Sequence, residues 1–140
     1  MEHSLTTIPS RMVEAWNRAD PPGFFADFAD DAVFTEFEGT ILRGREQMIA
    51  ATQPVFDTVM KGSRLVGSEI PYAHLVQPGL GVIHHRAAIA LPGEEEPPGA
   101  RRIMQLFVVA LREDRWQVTT LQNARLVSLE AAAALESLPA

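Results

Sequence analysis

Cysteine is absent from this sequence, which removes disulfides, thiol nucleophiles and thiolate metal sites together. Lysine occurs once, at Lys61, and acidic residues outnumber basic ones 18 to 12. No dense cationic stripe is left to neutralise phosphates, so nucleic acid is a poor partner. No run approaches the roughly 18 apolar residues of a membrane span. Met1-Glu2-His3-Ser4 also lacks the basic segment and apolar run of an export signal, and the expectation is a cytoplasmic protein with no membrane partner. A glycine-rich dinucleotide fingerprint is missing as well. His3 and His74 stand apart from other ligand types, so neither a cofactor nor a metal is expected.

What is present is ordinary for a globular chain: 46% hydrophobic and 21% charged residues over 140 positions. That length suits one domain, 1–140, with a core over about 8–126 and a tail at 128–140. Ile8, Met12, Ala15 and Trp16 fall on one helical face, with Thr7 as a cap and Pro9 in the first turn, predicting a helix to about Arg18. Asp20 then caps a short helix opened by Pro21 and Pro22 and faced by Phe24, Phe25 and Phe28. These rings serve either as plain core or as pocket wall.

From Ala32 the period shortens toward two, predicting a strand to about Glu38, a turn at Gly39 and a return strand through Leu42. Gly44 opens the longest helix, with Met48, Thr52, Val55, Phe56 and Val59 as its buried stripe, a kink at Pro54 and a stop at Gly62. Strands follow at about 64–71, 81–91, 101–111 and 116–126. The prolines and Glu94-Glu95-Glu96 of 92–99 predict a solvated loop, and Ser128 caps a final alanine-rich helix. Three helices before a long antiparallel sheet imply an α+β fold with helices on one concave sheet face.

Three segments in order and spacing carry a family likeness: Asp30-Asp31-Ala32-Val33-Phe34, Leu42-Arg43-Gly44-Arg45-Glu46, and Arg112-Glu113-Asp114-Arg115-Trp116 leading to Leu121-Gln122-Asn123-Ala124-Arg125. Over about residues 8–126 the chain resembles the SnoaL-like families of the nuclear transport factor 2-like superfamily, closest to the SgcJ/EcaC-type branch. The resemblance implies a cone: a strongly bent, mixed but mostly antiparallel sheet around the longest helix, with a pocket open at one end. It also implies homodimers through the outer sheet face and hydrophobic ring-bearing ligands, in members that are either enzymes or non-catalytic binding and assembly modules. The ketosteroid isomerases of the fold use an acidic base opposite a tyrosine and a second acid. This chain has only Tyr72 and no matching acid pair.

Alternation of side chains along strands separates the faces. In the last strand Trp116, Val118, Thr120 and Gln122 share the face expected to look inward, with Asn123 outward. In the preceding strand Ile103, Gln105, Phe107, Val109 and Leu111 share one face, while Met104, Leu106, Val108 and Ala110 make the other apolar too, as a subunit contact requires. The resemblance places a glutamine at position 105, paired in role with Gln122. His85 shares the inward face with Ile83, Ala87 and Ile89, either as general acid or base or as a core histidine held by a hydrogen bond. Glu36 lines up with Phe34 and Glu38 and is left open between a pocket carboxylate and an exposed one.

The expected catalytic pair is thus His85 and Glu36, and the expected ligand-binding residues are Trp16, Phe28, Phe56, Gln105, Phe107, Trp116 and Gln122. Arg45 is expected to pair with a nearby carboxylate and Arg125 with an acidic neighbour at the sheet edge. Three functions compete. One is an enzyme that moves protons on a hydrophobic, polyketide-like metabolite of bacterial secondary metabolism. Another is a protein that binds such a metabolite without catalysis. The last is a homodimeric assembly module.

Overall fold

The structure, a computed structural model, describes residues 5–137, apart from the side chain of Ala100. Helix α1 (Thr7–Asn17) buries Ile8, Pro9, Met12 and Ala15. Its first residue is Thr7 itself, so the expected cap lies inside the helix. In α2 (Pro21–Phe24) the Asp20 side chain accepts a hydrogen bond from the Gly23 amide at 3.0 Å, as its cap position predicts. Strand β1 (Phe28–Thr35) starts four residues before the expected point, so Phe28 belongs to the sheet rather than to the aromatic helix.

After β2 (Ile41–Arg43), Gly44 at φ 85° turns the chain into α3 (Arg45–Asp57), a conformation that side chains with a Cβ rarely adopt. The helix ends soon after Pro54 rather than at Gly62, and the backbone carbonyl of Pro54 accepts from the Thr58 hydroxyl at 2.7 Å. Of the expected stripe only Met48 and Phe56 are buried. Val59 is 72% exposed because it lies past the helix end.

Four long strands follow: β3 (Arg64–Gln77), β4 (Leu80–Ala90), β5 (Arg102–Arg112) and β6 (Arg115–Arg125). A 3₁₀ turn (Gly99–Arg101) leads into β5, and α4 (Leu129–Glu136), capped by Ser128, buries none of its residues. β3 runs six residues beyond its expected end, which puts Tyr72 within the strand.

The sheet order is β2-β1-β6-β5-β4-β3. Neighbours are antiparallel except β1 and β6, which are parallel, so the sheet is mixed. Helix α1 packs on β3 at one side of the sheet, α3 packs on β1 and β2 at the other, and α2 joins the two helices. One short helical run therefore touches both sides of a six-stranded sheet, which requires the sheet to curl around it.

Two irregularities aim side chains within that curl. Between Val66/Ala88 and Glu69/Arg86, two residues of β3, Gly67 and Ser68, oppose the single Ala87 of β4. Gly67 takes φ 65° and forms the bulge. Between Val109/Val118 and Val108/Thr120, β6 carries one extra residue, Thr119. Everything beyond Thr119 is thereby turned to the opposite face.

Candidate functional site

A cavity of about 590 Å³ lies between the concave sheet face and α1–α3, within the usual range for small-molecule sites. Its walls are chiefly apolar: Trp16 of α1, Phe34 of β1, Val55 of α3, Leu65 of β3 and Ile103 of β5. Trp16 is held in place by its indole N–H, which donates to Ser63 Oγ at 3.1 Å, and by the Phe56 ring at 4.5 Å. Phe56 thus stands behind the wall and not on it.

The polar end of the cavity is a row across the sheet. His85, Gln105 and Asn123 are direct cross-strand neighbours on β4, β5 and β6. Ser68, turned inward at the β3 bulge, has its hydroxyl 2.6 Å from His85 Nε2. His85 Nδ1 lies 2.8 Å from Gln105 Oε1, and Gln105 Nε2 donates to Asn123 Oδ1 at 3.0 Å. His85 is 1% exposed and Gln105 4%. Gln105 and Asn123 line the cavity while His85 sits behind them, edge-on to the Phe107 ring at 6.3 Å. Burial pushes the imidazole pKa below its ordinary value of 6.5, only partly opposed by the Gln105 hydrogen bond.

Glu36 lines the cavity and is half-buried. It follows Thr35, the partner of Gln122 in the parallel β1–β6 ladder, and lines the same cavity as Asn123. The question that alternation left open is decided by Phe34, whose burial fixes the inward face of this segment.

The structure draws together Trp16, Glu36 and Gln105 on the cavity wall, with His85 one hydrogen bond behind. Phe28 and Phe107 are fully buried in the packed core, and Trp116, 7% exposed, joins that same core rather than the cavity. Gln122 is a correction. It is exposed on the outer face, because the bulge at Thr119 exchanges the faces of β6 and brings Leu121, Asn123 and Arg125 inward. The apolar spacing Trp116, Val118, Leu121 steps by two and then by three, and that slip is the trace of the bulge in the sequence. Ser68 was equally missed, and its signal is a glycine inside a strand pattern.

Arg125 is also corrected: it lines the cavity mouth and has no ion-pair partner among the described residues. Arg45 does pair, with Asp30 at 2.8 Å. The acidic loop is not wholly solvated, since Glu94 accepts from both terminal nitrogens of Arg101 and from the Leu91 amide. Those bonds hold its carboxyl down at about 2. Arg101, which also donates to the carbonyl of Ile89, lines the cavity, so this clamp closes the loop beside the mouth. His74 packs against Tyr72 at 5.0 Å on the outer face, and His3 lies outside the described residues.

The family model of the SnoaL-like domain matches residues 10–119. Among curated proteins nothing matches. A crystal structure of a domain of unknown function with a cystatin-like fold from Nostoc punctiforme PCC 73102 is 36% identical, with a TM-score of 0.92, covering 99% of this chain and 87% of that one. An NTF-2 like protein of unknown function from Shewanella oneidensis MR-1 superposes with a TM-score of 0.72 at 15% identity, covering 87% of this chain and 97% of the other. A ketosteroid isomerase-like protein from Erwinia carotovora atroseptica gives 0.73 at 16% identity, over 91% and 97% of the two chains. The last two establish the fold alone.

Proposed function

Since the chain belongs to the SnoaL-like domain family, we propose that it binds an apolar, ring-bearing small molecule in the cone cavity, its polar end against Gln105 and Asn123. One observation carries this reading: a cavity of about 590 Å³ walled by aromatic and aliphatic side chains ends in a single row of hydrogen-bonded amides. A filled core has no use for two amides at a void, because burying them costs free energy that apolar residues avoid. A polyketide-like metabolite of bacterial secondary metabolism fits this description, and the three quoted segments favour the SgcJ/EcaC-type branch. Absent cysteines favour a reducing cytoplasm.

Glu36 favours a second reading, proton transfer. A ketone seated on Asn123 brings its α-carbon within reach of the neighbouring strand, about 5 Å away. The Glu36 carboxylate takes the α-proton, the C–H electron pair passes to the carbonyl oxygen, and an amide N–H supports the enolate. Return of the proton restores the ketone. In this role Glu36 replaces His85 as the group that meets the substrate, and His85 acts from behind.

The probe for both readings is 2-acetylnaphthalene, followed by quenching of Trp16 fluorescence against the second tryptophan as background. Saturable quenching that weakens about tenfold in Asn123→Leu is expected, while Gln122→Leu on the outer face binds normally. No saturable quenching rejects the cavity reading. Deuterium uptake into the acetyl group above the buffer rate, lost in Glu36→Gln, is expected of proton transfer; equal uptake in the variant rejects it and leaves binding intact.

The outer sheet face favours a homodimer. Val82, Met104, Leu106 and Val108 form an apolar surface behind the cavity, and Leu106 is 38% exposed. A second copy covering this surface removes it from water.

A further inference from the structure

We infer that His85, which does not touch the cavity, sets the hydrogen-bond polarity of Asn123, so that the site selects ligands whose polar end is an acceptor, a carbonyl or enolate oxygen. The inference rests on the cavity being a ligand site and adds the chemical class that its polar end accepts.

Gln105 Nε2 donates to Asn123 Oδ1, which leaves the Gln105 carbonyl toward His85. A carbonyl oxygen only accepts, so His85 Nδ1 carries the hydrogen. The ring is neutral at pH 7, because burial disfavours its charged form. Its Nε2 is then bare and accepts from the Ser68 hydroxyl 2.6 Å away. Asn123 Oδ1 already accepts from Gln105, and within the described residues no protein acceptor engages Asn123 Nδ2. The row therefore ends in an N–H directed at the cavity.

Polarity in such a chain is collective. Reversing one link alone among His85, Gln105 and Asn123 sets oxygen against oxygen or hydrogen against hydrogen at the buried Gln105, which costs more than one hydrogen bond returns, while the exposed Ser68 hydroxyl rotates to follow either tautomer. Only a full reversal satisfies every member: Nε2–H on the imidazole, both amides turned over, and an Asn123 carbonyl facing the ligand. Two settings exist, and the arrangement of the structure is the donor setting. His85 is a positioning residue, whose influence on the ligand passes entirely through Gln105 and Asn123.

The test uses the full chain and two naphthalenes matched in shape, 2-acetylnaphthalene and 2-ethylnaphthalene, which differ by a carbonyl oxygen. The wild-type protein is expected to prefer the ketone about tenfold, the worth of one hydrogen bond. In His85→Phe the preference is expected to fall toward unity while 2-ethylnaphthalene binds unchanged, which separates loss of polarity from loss of the pocket. Nitrogen-15 spectra of the histidine-labelled wild type give a second reading that needs no variant: Nδ1 of His85 protonated and Nε2 bare, both free and with the ketone bound. An Nε2–H tautomer, or a ketone preference untouched in His85→Phe, overturns the inference. Equal binding of both naphthalenes also overturns it and leaves the cavity reading standing. Failure of both to bind removes the cavity reading and this inference with it.

Discussion

The two halves of the cone are built from the same strands and differ in what the helices bring to them. In the closed half the start of β1 presents Phe28, which shares one packed core with Phe107, Val118 and Leu121, all fully buried. Phe25 stands on the boundary, packed edge-to-face on Phe28 at 5.1 Å and on the cavity-wall residue Phe34 at 5.9 Å. In the open half α3 presents Ala51, Thr52 and Val55, and the sheet answers with Ile103, Gln105 and Asn123 across a void. Small side chains on a helix that ends soon after Pro54 leave volume unfilled. The difference teaches that stability and recognition are divided along one sheet, with Phe107 and Gln105 only two residues apart on β5.

That division is open to direct attack. Phe28→Ala, in the closed half, is expected to cost about 3–5 kcal/mol in urea unfolding, because a ring is lost where nothing collapses into the space. Val55→Ala, at the void, is expected to cost under about 1 kcal/mol. Equal losses abolish the distinction between the halves. A smaller effect concerns the face behind both halves. Leu106→Glu is expected to raise the monomer fraction in sedimentation by placing a charge in an apolar contact, and a wild-type protein that is already monomeric at all concentrations rejects the homodimer.

The smallest effect is a pH slope located at the boundary between the halves. The buried His85 ring resists protonation while the unfolded chain does not, so below 6.5 the unfolded state takes up the extra proton. Stability from this group is complete above 6.5, falls as pH falls, and levels off below the depressed folded value. The melting temperature of His85→Gln is therefore expected to drop less between pH 7 and pH 5 than that of the wild type. Parallel curves show that the ring is not the titrating group. The Glu94–Arg101 clamp acts at lower pH, its slope lying between the ordinary carboxyl value of 4.5 and about 2, where the unfolded chain takes up a proton that the folded one does not.

Much of this was legible residue by residue. Asp20 and Gly44 mark their helix starts because capping and a positive φ are local demands. Gln105 and His85 read as inward because β4 and β5 pair without a register shift, so period two holds along both. Gln122 read wrongly because β6 does not keep that period. Phe28 was placed on a helix because the aromatic run continues across the helix–strand junction without a change of residue type.

The α+β class, the order of elements, the apolar outer face and the presence of buried polar groups on the concave one are already written in the chain. These follow from periodicity and local chemistry, which each segment expresses alone. It takes the folded chain to turn Asn123 inward in place of Gln122, to bring Ser68 to His85, and to set Glu36 on the same cavity as the amide row. Bulges and parallel pairing are agreements between two strands, and a residue's face is settled by the register it shares with its neighbour.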